Sequence, residues 1–167
     1  MIRFKLFGFD NKERKTPVPA PTDTAEAPSV PDGTKEHLQG KRVLIVDDDR
    51  VFLTVTAAKL KSAGFRVRTA RESAEAITAL GEEAVDAVLM DITFAPDVCN
   101  GGMGSWDGFQ LMSWLRGNPA ARGARFIVVS NSDSAADRQR AKQLGAVAYF
   151  QKPLDRDRLV AAVNGAN

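Results

Sequence analysis

The chain has 167 residues, enough for one domain with a real core, and its 23 Lys and Arg against 21 Asp and Glu leave a net charge of only +2. That balance, with no basic block, argues against a nucleic-acid binder, and no apolar stretch approaches the roughly 18–20 residues that span a bilayer or the apolar region of a signal peptide. The lone Cys99 excludes an intramolecular disulfide and fits a reducing, cytoplasmic setting, and the lone His37, in a polar Pro-rich stretch, leaves histidine catalysis without a residue. Residues 1–15 mix apolar and basic side chains. Ile2, Leu6 and Phe9 share a face if that segment is helical, and Ile2, Phe4 and Leu6 share one if it is a strand. With Arg3 and Lys5, residues 1–9 read either as a peptide docking weakly on an anionic membrane or a partner, or as a frayed tail. Residues 16–40, rich in Pro, Thr and Ala without apolar periodicity, read as a disordered, partly extended linker.

The folded domain is expected over residues 41–167, where strand and helix patterns alternate. Residues 42–47 form the first strand, and 51–63 a helix with Leu53, Ala57 and Leu60 on one face and Gly64 as its stop. Residues 65–70 alternate Phe, Val and Thr with Arg66 and Arg68, the pattern of an edge strand kept soluble by charge. A short helix over 73–80 is expected to stop at Gly81, followed by a strand over 87–91, a long loop, and a helix over 107–116. A strand over 125–130, a helix over 134–144, a strand over 147–151 and a helix over 155–164 complete five strand–helix units. Such alternation, with right-handed crossovers, gives an α/β fold with a doubly wound parallel sheet.

Four of these strands end on residues suited to phosphate chemistry: Asp47 and Asp48, Asp91, Ser130, and Lys152. Ligands of open α/β sheets bind outside the carboxyl ends of the strands, so three carboxylates, a hydroxyl and an ammonium meet on one edge. Three close carboxylates raise one another's pKa unless a cation lies between them, and Mg2+ suits them because it takes hard oxygen ligands and bridges to phosphate. A carboxylate there can act as a nucleophile and form an acyl phosphate, a transfer that asks mainly for positioning and charge neutralisation.

Taken together, IVDDD at 45–49, LMD at 89–91, VVS at 128–130 and YFQKP at 149–153 resemble, in order and spacing, the signatures of the response-regulator receiver domain of two-component signalling. The resemblance runs from Lys41 to about Asn164. It implies a five-stranded, flavodoxin-like sheet in the order 2-1-3-4-5 with helices on both faces. It also implies a protein that catalyses only its own phosphorylation and dephosphorylation. Asp91 would be the phospho-acceptor, Asp48 a direct Mg2+ ligand, Asp47 an assistant through water or Lys152, and the Thr93 backbone carbonyl a further ligand. Ser130 would bond a phosphoryl oxygen, Lys152 would pair with the phosphate, and Lys152–Pro153 would be a cis peptide. Tyr149 matches the aromatic that changes rotamer, so the face carrying Arg138, Asp155 and Arg158 is the expected output surface. The implied partners are a histidine kinase or phosphotransfer protein, an unidentified target, and a phosphorylation-dependent second copy. No output domain is expected behind the last helix.

Departures from that pattern mark this chain. Thr93 and Asn131 flank the path of an attacking water and are expected to tune phosphoryl lifetime. The loop over 94–106, FAPDVCNGGMGSW, delays the usual Asp-Gly to Asp107–Gly108 by about nine residues and reads as a lid or partner-specificity element, or as a tolerated insertion. Cys99 within it reads as a bystander. Two other functions remain open at this level. A haloacid-dehalogenase-type phosphatase would use Asp47 and Asp49 as its Asp-x-Asp pair, and a receiver-like adaptor would act by binding without phosphorylation. Asp47–Asp49 also reads, at its plainest, as a polar helix start.

Overall fold

The computed structural model describes residues 40–93, 97–98 and 105–165. The expected N-terminal segment and almost all of the linker lie outside the described residues. The principal strands are β1 (Arg42–Val46), β2 (Arg66–Ala70), β3 (Ala87–Met90), β6 (Arg125–Ser130) and β7 (Ala148–Gln151). They pair in parallel in the order β2-β1-β3-β6-β7, the sheet order implied by the sequence. Five helices alternate with them: α1 (Arg50–Ser62), α2 (Ser73–Glu82), α3 (Gly108–Gly117), α4 (Ala135–Gln143) and α5 (Arg156–Asn164).

Side-chain alternation along the central strands builds a core on each face of the sheet. In β1, Val43 and Ile45 join Leu53 and Leu60 of α1 and Leu159 of α5 on one face. Leu44 and Val46 join Leu80 of α2 and Leu111 and Leu115 of α3 on the other. Apart from Arg42, Arg125 and Ser130 at their ends, β1, β3 and β6 are therefore apolar on both faces, whereas the edge strand β2 keeps Arg66 and Arg68 outward. Arg66 pairs with Glu83 at 3.0 Å and Arg68 with Glu82, which covers the free edge with charge as its sequence pattern foretold.

The helix ends show where local signals hold and where they fail. α1 starts at Arg50 because Asp49 is its cap, accepting from the amides of Val51 and Phe52. α3 opens with a capping box in which Asp107 and Gln110 exchange side-chain and backbone bonds. The expected stop at Gly81 is corrected: α2 runs through it to Glu82, since a glycine inside a helix weakens it without ending it. Beyond its own helix backbone and chain neighbours, a Cβ at Gly81 would meet nothing within 4 Å among the described residues. Gly81→Ala should therefore stabilise the fold by up to about 1 kcal/mol, read as a higher urea midpoint with an unchanged slope.

The long loop is not wholly irregular. β4 (Asp97–Val98) and β5 (Ser105–Trp106) pair antiparallel, with Asp97 opposite Trp106, so the two arms of the loop meet near its end. Residues 94–96 and 99–104, with Cys99 and Met103, lie outside the described residues. The indole of Trp106 lies 5.9 Å from that of Trp114 on α3, tilted by 45°, which anchors this arm to the helix. A single 3-10 turn, Pro119–Ala121, capped by Asn118, follows α3 and was not foreseen from the pattern. Among the described residues no helix is long and apolar enough to cross a membrane.

Candidate metal and phosphoryl site

The sheet ladder runs one step past the strand ends and so delivers the polar residues to a common edge. The Asp47 amide donates to the Ala70 carbonyl at 3.0 Å, the Asp91 amide to Val46 at 2.9 Å, and the Lys152 amide to Ser130 at 2.9 Å. The three aspartates in sequence after β1 then take different tasks. Asp47 is 1% exposed, Asp48 faces solvent, and Asp49 caps α1. The plain helix-start reading is thus true of Asp49 alone.

Asp47, Asp48 and Asp91 each bring a carboxylate oxygen within 4.8 Å of the others. Between the two buried ones sits Lys152, its side chain 9% exposed, with Nζ 2.6 Å from Asp47 Oδ2 and 2.8 Å from Asp91 Oδ2. The bond to Asp91 is a directed hydrogen bond. The contact with Asp47 is a short, buried ion pair. Nζ also lies 4.3 Å from the centre of the Phe52 ring, whose face favours a cation. Burial works against the Lys152 ammonium, but Asp47 and Asp91 more than offset it and hold its pKa above the ordinary lysine value. Burial pushes the Asp47 carboxyl above the usual aspartate value, with Asp91 adding to the push and Lys152 and the Asp49 amide opposing it. One ammonium among three carboxylates leaves negative charge over, and the hard oxygen donors suit a divalent cation such as Mg2+.

Thr93 stands elsewhere than its implied role as a carbonyl ligand alone suggests. Its amide donates to Asp91 Oδ1 at 2.7 Å and its hydroxyl to the same oxygen at 2.6 Å. Ser130 is fully buried on the next strand, and its hydroxyl accepts from the Ser132 amide at 3.1 Å. The Ser132 carbonyl in turn accepts from the Tyr149 hydroxyl at 2.9 Å. Arg138 of α4 lies 4.6 Å over the Tyr149 ring and donates to the Tyr149 carbonyl at 3.3 Å. Asn131 is exposed and lines a cleft of ≈ 380 Å³ with Phe52, Val55, Lys152 and Leu154. Lys152–Pro153 is cis, as expected.

Three contributors escaped the sequence reading. Ser132 links Ser130 to Tyr149, and the SNSDS run at 130–134 carried a signal for it, since Ser hydroxyls bond the backbone two residues on. Phe52 was visible only as a helix residue. Gly108 packs so tightly that a Cβ there would lie 2.5 Å from Ile92 Cα and 2.9 Å from the Asp91 carbonyl oxygen, which fixes the turn after Asp91.

The family model described as the response regulator receiver domain matches residues 43–164. The chain belongs to that family. Among curated relatives, it is 32% identical over 124 residues to the transcriptional regulatory protein GltR of Pseudomonas aeruginosa, covering 74% of this chain and 48% of GltR. The receiver thus spans about half of that relative's length. It is 29% identical over 123 residues to protein PilH of the same organism, covering 74% of this chain and 94% of PilH. A Burkholderia pseudomallei response regulator, solved with a phosphorylated aspartic acid, calcium ion and citrate, shares 28% identity. It superposes with a TM-score of 0.62 over 74% of this chain and 66% of that one. The chain therefore carries a response-regulator receiver domain over residues 43–164.

Proposed function

We propose that this receiver accepts a phosphoryl group on Asp91 from a histidine kinase or phosphotransfer protein, in a Mg2+-dependent reaction, and signals by altering its protein-binding face. The carrying observation is the Lys152 ammonium set 2.6 Å from Asp47 and 2.8 Å from Asp91, beside an exposed Asp48. An oxygen of Asp91 attacks phosphorus, forming a P–O bond as the bond from phosphorus to the donor's imidazole nitrogen breaks and that nitrogen keeps the electron pair. Lys152 is placed to steady negative charge on the phosphoryl oxygens. Asp48 and Asp91 would hold the cation directly, with the Thr93 carbonyl, and Asp47 would support it through water. A bound Mg2+ supplies charge neutralisation on the transferred group.

Readout follows from the serine–tyrosine chain. The Ser130 hydroxyl has its proton to offer a phosphoryl oxygen, and movement toward Asp91 draws on the Ser132 amide bonded to it. Ser132 holds Tyr149, and Tyr149 stacks with Arg138, so the displacement reaches the α4, β7 and α5 surface bearing Arg138, Asp155 and Arg158. That surface is the proposed contact for the target or for a second copy. Thr93 and Asn131, at the rim, are the proposed determinants of phosphoryl lifetime.

Acetyl phosphate with Mg2+, followed by borohydride reduction and mass spectrometry, should place the modification on Asp91. With beryllofluoride, backbone resonances of Ser132, Arg138 and Tyr149 should shift. Modification of Asp47 would transfer the reading to a phosphatase, and no modification or shift would leave a binding-only adaptor.

A further inference from the structure

The two hydrogen bonds from Thr93 to Asp91 bear on metal loading. A carboxylate offers about four lone-pair positions, two on each oxygen. On Oδ1 both are taken by Thr93, through its amide at 2.7 Å and its hydroxyl at 2.6 Å. On Oδ2 one is taken by Lys152 at 2.8 Å. A divalent cation joining Oδ2 would approach the ammonium already bonded there and meet like charge. Oδ1 is therefore the oxygen of Asp91 on which a cation is least opposed, and it is the one that Thr93 saturates.

The two Thr93 donors are not equally removable. The amide bond closes a turn from Asp91 to the residue two places on, and its backbone is held on the Gly108 side by contact with the Asp91–Ile92 peptide. The hydroxyl is on an exposed side chain and leaves by one rotation between staggered wells. We propose that the Thr93 hydroxyl is an internal competitor for Asp91 Oδ1, which the protein must release to take up Mg2+, so that Thr93 weakens metal binding and sets the metal concentration at which the site becomes competent. Thr93 is in this sense a positioning residue: it acts through Asp91 and holds the carboxylate oriented while the site is metal-free. The inference rests on the metal site described under the proposed function.

Isothermal titration of the full chain with MgCl2 tests it, without any phosphodonor. Thr93→Val keeps the shape and the amide and removes only the hydroxyl, so it should bind Mg2+ about three- to tenfold more tightly than wild type. Thr93→Ser restores the hydroxyl and should return affinity to the wild-type value, an outcome that a loss of packing at this position does not predict. Asp48→Asn should lose binding in either background. Unchanged or weaker Mg2+ affinity in Thr93→Val, with wild type binding normally, would overturn the competitor and leave the metal site standing. Failure of both wild type and Thr93→Val to bind Mg2+ would overturn the site and the inference together.

Discussion

Asp91→Asn should abolish phosphoryl acceptance and leave the fold within about 1 kcal/mol of the parent, or above it. The amide keeps an oxygen for the Thr93 amide and hydroxyl, so the turn after β3 retains its hydrogen bonds. What it loses is the nucleophilic carboxylate and one negative charge that is 3% exposed. Asp47 and Lys152 then remain as a closer-balanced pair at 2.6 Å, and the repulsion among three carboxylates within 4.8 Å is relieved. Loss of the Lys152 bond to Asp91 Oδ2 opposes that gain, which is why the net change is small. Mass spectrometry after acetyl phosphate treatment reads the first effect, and urea denaturation without metal reads the second. A phosphoryl adduct persisting in the variant would move the nucleophile to another carboxylate.

Gly108→Ala should destabilise the protein by about 2–3 kcal/mol and slow phosphorylation by acetyl phosphate. The added methyl would meet Ile92 Cα at 2.5 Å and the Asp91 carbonyl oxygen at 2.9 Å, and backbone cannot swing aside as a side chain can. Either α3 lifts from the sheet, loosening Phe109, Leu111 and Leu115, or the Asp91–Ile92 peptide tilts and the carboxylate leaves its place beside Lys152. The same substitution at Gly81 is expected to have the opposite sign because its surroundings are open. The pair of variants separates steric contact from helix propensity, with urea midpoints for stability and adduct formation for the site. Equal effects at both positions would rule out the close approach as the cause.

The elements were legible from the sequence because apolar runs of four to six residues alternate with helical periodicity, and β6 appears at its expected limits, Arg125–Ser130. The strand ends were legible for the same reason, since Asp91 and Lys152 each follow directly on a strand. The separate fates of Asp47, Asp48 and Asp49 were not. Three identical residues in a row differ only in where the strand-to-helix turn points each side chain, and that turn depends on α1 packing against the sheet. The Thr93 bonds were hidden in the same way, because they depend on a loop conformation after β3 that no periodicity describes. The paired arms of the long loop were missed because two-residue strands carry no alternation to detect. Gly81 misled for a different reason: glycine is common past a helix end and also tolerated within one.

The chain contains two tryptophans, and both belong to the one pair formed by Trp106 at the foot of the long loop and Trp114 on α3. Trp114 is 37% exposed, so the pair sits at the boundary between solvent and the helix that begins beside Asp91. Tryptophan emission, excited at the red edge where Tyr149 does not absorb, therefore comes from a single place. A change in its colour or intensity on metal loading, phosphorylation or partner binding reports the loop arm and the start of α3 directly, with no engineered label and no signal from elsewhere in the chain to subtract.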